Sequence, residues 1–329
     1  MLKRLVEKVN YFGVEINYLK IEGLRNSGLI EMKVTFLGTS GSLPTKKRSQ
    51  PSIHLQHGNN SILWDCGEGT QRQIMKTNIS PFKINSVYIT HLHADHLIGL
   101  AGLIQSLQFM GREEKLEVYG PEKIDKYVDF FKNWDYFKLG FNIEVKEVKE
   151  GVIKEDEDYV MRAFPVEHRC PAYGYVFEEK PGLNLDKEKL KEIGLFNHPK
   201  CRDLKEKGVV EHRGKKIKIE DVRKPEKNRR KIVYSGDTKH CEKLKEASEG
   251  ADLLIVDSTF GEEHEDKAFE YGHGEAKLMA KLAKEANVDK LVLTHFSNRY
   301  EDEKVLEESA RGVFKESYAA RDLMEIEID

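Results

Sequence analysis

Cysteine is scarce in this sequence: Cys66, Cys170, Cys201 and Cys241 stand far apart in 329 residues, and no two make a CxxC pair. That excludes a disulfide-stapled fold and a zinc site built from thiolates, and it reads the four as buried thiols. Long apolar runs are missing too. The stretch Leu97–Leu107 is interrupted by Gly99, Gly102 and Gln105, well short of the ~20 residues a membrane span requires. Charges recur every few positions from Met1 to Lys20, so no secretory leader is expected and a cytoplasmic location is. There is no positive global charge either, because 54 Lys+Arg against 57 Asp+Glu leave −3. No overall field draws the chain onto a polyanion. GxxxxGK[ST], GxSxG and a GxGxxG after a strand are all absent, which removes nucleotide-binding-loop and serine-hydrolase readings and with them a nucleotide cofactor.

What is present is a globular composition, 39% hydrophobic and 34% charged. Short β-branched and aromatic runs predict strands at 33–37, 52–56, 61–65, 86–90, 116–119, 141–148, 159–164, 172–177, 231–234, 253–257, 291–294 and 324–328. A hairpin turn is expected over His57–Asn60. Helical spacing marks 97–109, 121–133 with Pro121 in its first turn, and 275–286. Strands interleaved with helices imply a layered α/β fold. Residues 1–31 read as an N-terminal extension and 32–329 as the main domain. Between about 178 and 231 apolar periodicity fades to one short helical run, 186–193, which reads as an insertion. Pro199–Lys231 holds fourteen Lys+Arg against six Asp+Glu, a basic patch on an acidic body.

The densest chemistry is THLHADH, directly after the strand SVYIT. His91, His93, Asp95 and His96 put four metal-ligand side chains within six positions. In a tight loop His91 and His93 point to one side, while Asp95 and His96 turn toward a second point, a geometry that suits two metals. Imidazole with carboxylate favours zinc, with manganese and iron as alternatives. His168 after AFPVE, Asp237 in YSGDT and His295 in THFSNRY likewise follow strands, where α/β folds place their sites.

FLGTSGSLP (36–44), DCGEGTQRQ (65–73), THLHADH (90–96), EHRCPAYGY (167–175), YSGDT (234–238), DSTF (257–260) and THFSNRY (294–300) together resemble the metallo-β-lactamase superfamily. More narrowly, the chain from Met32 to Asp329 resembles the tRNA 3′-processing endoribonucleases, tRNase Z. The resemblance implies an αβ/βα sandwich of two mixed sheets flanked by helices. It implies that His91, His93 and His168 hold one Zn2+, that Asp95, His96 and His295 hold another, and that Asp237 bridges them. The implied reaction removes the 3′ trailer of precursor tRNA, leaving a 3′-OH on the tRNA and a 5′-phosphate on the trailer. His273 in YGHGEA matches the family's proton donor and Asp257 the supporting carboxylate, normally glutamate; Asp95 can also take part in proton transfer.

The insertion then resembles the family's tRNA-gripping flexible arm, with Lys205 in its LKxxG-like segment and His198-Pro199 where Gly-Pro is usual. Lys46 and Arg48 of PTKKRS match a loop linked to the 3′ end, with Ser49 where asparagine is usual. Ser297, Arg299, Arg229 and Arg230 are further expected substrate contacts. Ser40–Gly41 reads as a tight turn or a backbone phosphate contact. A homodimer is implied. Three rivals stand beside this reading: a small-substrate phosphodiesterase or thioesterase of the same fold, a di-iron redox protein, and a non-catalytic RNA-binding homologue.

Overall fold

In a computed structural model of the chain, the described residues are 5–11, 14–20, 32–133, 138–180, 185–222 and 229–328. Much of the expected extension, and residues 181–184 and 223–228 of the expected insertion, lie outside them. In chain order the strands are β1 (Leu5–Tyr11), β2 (Val14–Lys20), β3 (Met32–Gly38), β4 (Ser52–His57), β5 (Asn60–Trp64), β6 (Ile84–Tyr88), β7 (Leu116–Gly120) and β8 (Ile143–Glu147). There follow β9 (Gly151–Glu155), β10 (Tyr159–Pro165), β11 (Tyr173–Glu179), β12 (Val209–His212), β13 (Lys215–Lys218), β14 (Lys231–Tyr234), β15 (Leu253–Asp257), β16 (Leu291–Thr294), β17 (Ser317–Ala319) and β18 (Glu325–Glu327).

One sheet runs β1-β2-β18-β3-β4-β5-β6-β7-β8 and a second runs β17-β16-β15-β14-β11-β10-β9. In the first, β3 to β5 pair antiparallel and β5 to β8 parallel; in the second, β14 to β17 are parallel. The antiparallel β4–β5 hairpin turns over Gly58 and Asn59, and His57 pairs with Asn60. Strands β1 and β2, inside the expected extension, form an antiparallel pair, and β2 runs parallel to β18.

The sheets face each other through aromatic contacts. Trp64 stacks on Tyr234 with centroids 5.8 Å apart, and Tyr88 meets Tyr175 edge-on at 5.5 Å. Helices cover the outer faces. Gly99–Phe109 buries Leu100, Leu103, Ile104 and Leu107 against the first sheet, the i, i+3, i+4, i+7 stripe of an amphipathic helix. Ala276–Glu285 does the same on the second with Met279, Ala280 and Ala283. Each such leucine contributes about 1.5–3 kcal/mol by leaving water, so Leu103→Ala is a change that breaks this layer.

The helix expected from Pro121 starts instead at Ile124, because Lys123 takes a left-handed conformation and Pro121 closes a turn ahead of it. Four strands escaped the sequence reading of 32–329: β9, β12, β13 and β17.

By internal contacts the chain divides into two compact units, one of residues 1–155, 161–177 and 230–329, the other of 156–160 and 178–229. The second unit has its own small core, in which Leu190, Leu195, Leu204, Val210, Ile217, Ile219 and Val222 cluster. Its helices Lys187–Glu192, Lys200–Lys207 and Ile219–Val222 and the β12–β13 hairpin are each too short to show a period. Asp186 caps the first of them, its side chain accepting from the Glu188 and Lys189 amides.

Candidate metal centre and its proton donor

Every ligating side chain expected from the sequence sits at the C-terminal end of a strand. His91–His96 follow β6, His168 follows β10, Asp237 follows β14, and His295 follows β16. Two tight backbone approaches let these loops meet. A Cβ on Gly41 would stand 2.9 Å from the His295 ring, and one on Gly236, whose φ is +61°, would stand 2.7 Å from Thr90. Only glycine fits either position.

The donor atoms fall into two groups. His91 Nε2 and His168 Nε2 lie 2.9 and 3.2 Å from His93 Nδ1. His96 Nε2 and His295 Nε2 are 3.3 Å apart, each 3.6 Å from Asp95 Oδ2. Neighbouring ligands on one tetrahedral zinc stand roughly 3.3 Å apart, given metal–nitrogen bonds of about 2.0–2.1 Å. Asp237 lies between the groups. Its Oδ1 is 3.2 Å from His96 Nε2, and its Oδ2 is 3.2 Å from His295 Nε2 and 3.7 Å from His91 Nε2. Asp237 Oδ1 is buried without a hydrogen bond, an arrangement costly unless a cation satisfies it. These residues therefore fit divalent metal ions.

In four of the five histidines the other ring nitrogen is spoken for. His96 Nδ1 meets Asp65 Oδ2 at 2.8 Å, His295 Nδ1 meets Thr259 Oγ1 at 2.8 Å, His168 Nδ1 meets the Gly272 carbonyl at 2.8 Å, and His91 Nδ1 meets Thr90 Oγ1 at 3.0 Å. Such partners fix ring orientation and leave Nε2 to ligate. Asp65 was not singled out as a functional residue in the sequence. Fully buried, it also accepts from the Thr90 amide and hydroxyl and from the Tyr234 hydroxyl, so it orders the His96 ring from behind.

Electrostatics divide the histidines. Burial lowers the pKa of His91, His93 and His168, keeping them neutral and ready to ligate. At His96 and His295 burial is the largest single influence and opposes charge, but the surrounding carboxylates together outweigh it, Asp237 foremost, with Asp65 at the first and Asp257 and Asp95 at the second. His96 stays well above its ordinary value and His295 is pushed up to about 10. In return, the surrounding imidazoles, His295 first, hold Asp237 well below the carboxylate range despite its burial.

Asp257, the last residue of β15, stands behind His273 with Oδ2 2.8 Å from Nδ1. Burial disfavours a charged His273, yet that carboxylate raises its pKa above the ordinary value. Thr259 joins the network, donating to Asp257 Oδ1 at 2.6 Å while accepting from His295 Nδ1. His93, Asp95, His168, Asp237 and His273 line a cavity of about 480 Å³ together with Ser297 and Arg299. Cys170, read as a buried thiol, is half-buried, and its Sγ lies within 4.8 Å of the His91, His93 and His168 donor atoms.

The family model described as "Beta-lactamase superfamily domain" matches residues 222–296, and that described as "Anti-Pycsar protein Apyc1" matches residues 32–186. A Methanosarcina acetivorans protein named "Ribonuclease Z" is 42% identical over 300 residues, 90% of this chain and 98% of its own length. A Methanothermobacter thermautotrophicus protein of the same name is 42% identical over 298 residues, 90% and 97% of the two lengths. The chain belongs to the ribonuclease Z family. Among solved structures, human tRNase Z, short form, has a TM-score of 0.67 and 27% identity, covering 91% of this chain and all of that one.

The expected substrate contacts separate by exposure. Lys46, Lys205, Arg229 and Arg299 are exposed and Ser297 is half-buried. Arg299 Nε donates to Ser297 Oγ at 3.0 Å, and its guanidinium lies 4.9 Å over the Phe260 ring. Arg48 and Arg230 are different. Arg48 is buried, donating to the Tyr300 carbonyl and 3.8 Å from Glu303; Arg230 is buried and donates to the Ile328 carbonyl at 2.7 Å. Both were expected as substrate contacts, and in the structure each side chain is buried and directs a guanidinium nitrogen to a backbone carbonyl inside the fold. The Ser40–Gly41 turn also faces inward. Ser40 Oγ donates to the Leu43 carbonyl at 2.6 Å, and the next amide, Ser42 N–H, donates to Asp95 Oδ2 at 2.8 Å. Among the described residues, no helix is long and apolar enough to cross a membrane.

Proposed function

We propose that this chain is a metal-dependent endoribonuclease that removes the 3′ trailer from precursor tRNA. The observation that carries the reading is the His273–Asp257 pair beside a buried Asp237 shared by two donor groups. The names of its relatives support the class of substrate. Two Zn2+ ions per chain are proposed, one held by His91, His93 and His168, the other by Asp95, His96 and His295, with Asp237 common to both.

Metals bound there supply Lewis acidity toward the phosphodiester and lower the pKa of water. The chain's own residues do the rest. Asp95 lines the cavity with its Oδ2 3.6 Å from the nearest ring nitrogens, where its carboxylate takes a proton from the attacking water. Water adds to phosphorus, the P–O3′ bond breaks with its electrons passing to O3′, and His273 donates the proton that O3′ needs. Asp257 accepts the His273 Nδ1–H and so leaves Nε2 for the leaving group. Ser297 and Arg299 hold phosphate oxygens at the cavity rim, and Lys46 meets the RNA near its 3′ end.

The 178–231 insertion serves as a tRNA-binding arm through Lys205, Arg229 and neighbouring basic residues, with sequence-independent, salt-sensitive affinity. A homodimer in the cytoplasm, one subunit's arm holding the tRNA cut by the other, completes the proposal. The test is incubation of the purified protein with end-labelled precursor tRNA. Cleavage leaving a 3′-OH on the tRNA, abolished by chelator and restored by zinc, is expected; cleavage that persists after rigorous metal removal overturns the reading.

A further inference from the structure

The cavity rim carries two arginine-on-aromatic pairs, and they are not equivalent. In the first, Arg299 covers Phe260, a ring only 3% exposed, so no face of that ring is open to a ligand. In the second, the Arg169 guanidinium lies 4.4 Å from the centroid of Tyr271, whose side chain is 37% exposed. Arg169 is exposed as well, and both residues line the cavity that holds His93, His168 and His273.

The second pair is a built feature. Arg169 Nε and Nη2 donate to the Glu270 carbonyl at 3.3 and 3.2 Å, which fixes the guanidinium beside the phenol. Among the described residues no carboxylate pairs with Arg169, so its charge and its plane remain available. The backbone on both sides is tied to the site. Arg169 follows His168, and Tyr271 is the last residue of helix Glu265–Tyr271. Next comes Gly272, at φ +71°, whose carbonyl accepts from His168 Nδ1, and then His273. A Cβ at Gly272 would stand 3.2 Å from His168 Cα. The pair is thus held one residue from a metal-ligand position and two from the proton donor.

We propose that Arg169 and Tyr271 form a stacking platform for the base of the last nucleotide retained on the tRNA, the nucleotide whose ribose carries the leaving O3′. This rests on the endoribonuclease reading, in which His273 protonates that oxygen. The base attached to the same ribose then lies on the His273 side of the cavity, where Tyr271 and Arg169 stand. Arginine planes and tyrosine rings both take unpaired bases face to face. A stack reads the π-face and not the hydrogen-bonding edge, so all four bases are accepted at this position, purines more tightly for their larger area.

The test is a two-by-two kinetic cycle on the full-length, metal-loaded protein. Wild type and Tyr271→Ala are each assayed on a precursor tRNA with its natural base, and on one abasic at the last retained nucleotide. Melting temperature and metal content confirm that the variant is folded and loaded. On the natural substrate Tyr271→Ala raises KM on the order of tenfold while kcat moves far less, as expected for a lost base stack. The abasic substrate costs wild type a similar factor, and the two changes together cost no more than either alone. Tyr271→Phe restores most of the loss, and Arg169→Ala shows part of it. Independent, multiplying effects, a fall in kcat with KM unmoved, or a Phe variant as impaired as Ala overturns the platform. Failure of wild type to cut the natural precursor is a separate result that sinks the endoribonuclease reading, and this proposal with it.

Discussion

His273 Nδ1 lies 2.8 Å from one oxygen of Asp257, while the other oxygen takes the Thr259 hydroxyl at 2.6 Å. The shorter side chain at this position, aspartate where the family usually has glutamate, therefore still reaches the imidazole. Because Asp257 is the buried end of β15, the ring is held from a rigid element and not from a loop.

If His273 supplies the leaving-group proton, its removal should depend on how much the leaving group needs one. His273→Ala is expected to lower kcat on precursor tRNA by about 10²–10⁴. Hydrolysis of bis(p-nitrophenyl) phosphate, whose leaving group departs as a stable anion, should suffer far less. Asp257→Asn should follow the same pattern more weakly. Equal losses on both substrates would assign His273 to the metal site instead.

Asp65 touches no substrate, yet it positions His96 and ties Thr90 and Tyr234 to it. Asp65→Asn is expected to reduce metal affinity about 10–100-fold, the usual effect of removing a ligand's outer partner. Tyr234→Phe, which deletes a single hydrogen bond to that carboxylate, should cost about 1 kcal/mol of stability and much less metal. Competition with a chromogenic chelator measures the first and urea denaturation the second. Unaltered metal affinity in Asp65→Asn would contradict the role.

What could be read in advance follows from locality. HLHADH crowds its candidate ligands into one loop, and His168, Asp237 and His295 each follow a strongly β-patterned run, so the fold and the clustering of these side chains were visible as strand-end chemistry. Asp65 and Thr259 were not, because a buried carboxylate in DCGEG and a hydroxyl in DSTF look like ordinary turn residues until their partners arrive from distant strands. The core of the second unit was hidden for a different reason: Leu190, Leu204, Val210 and Ile217 sit on separate elements of four to eight residues. Adjacent arginines are equally opaque, since sequence does not say which side chain turns inward.

Arg229 and Arg230 make that last point testable. Arg229→Glu should weaken precursor binding and reduce the slope of log affinity against log salt by about 0.7–0.9, as for one lost phosphate contact, with stability little affected. Arg230→Ala should do the opposite. It vacates the Ile328 carbonyl inside the fold, with an expected loss of about 1–3 kcal/mol and little change in salt slope. Electrophoretic mobility shift across a salt series, paired with thermal melts, separates the two. A salt-slope change in Arg230→Ala with a wild-type melting temperature would overturn the assignment.

Asp322 offers a pH signature away from the metal ligands. It fastens the loops beside Asp95, its oxygens accepting from Thr39 Oγ1, Ser49 N and Gln73 Nε2 at 2.9, 2.7 and 2.9 Å. Burial is the dominant influence and, against those donors, lifts its pKa from 3.8 to about 6. Between about pH 4 and 6 the folded protein then binds more protons at this group than the unfolded chain does. By linkage its contribution to stability falls as pH rises through that window and is level above it, an effect of at most about 2–3 kcal/mol. Asp322→Asn cannot titrate, so its stability gap to wild type should widen as the solution is acidified from pH 6.5 to 4.5. The asparagine form is the less stable one at low pH, because its amide turns a donor toward donors. Ligand histidines titrate alike in both proteins and cancel in the difference. Urea titrations of the pair at the two pH values give the answer, and a gap that stays constant would show that Asp322 ionises like an ordinary carboxylate.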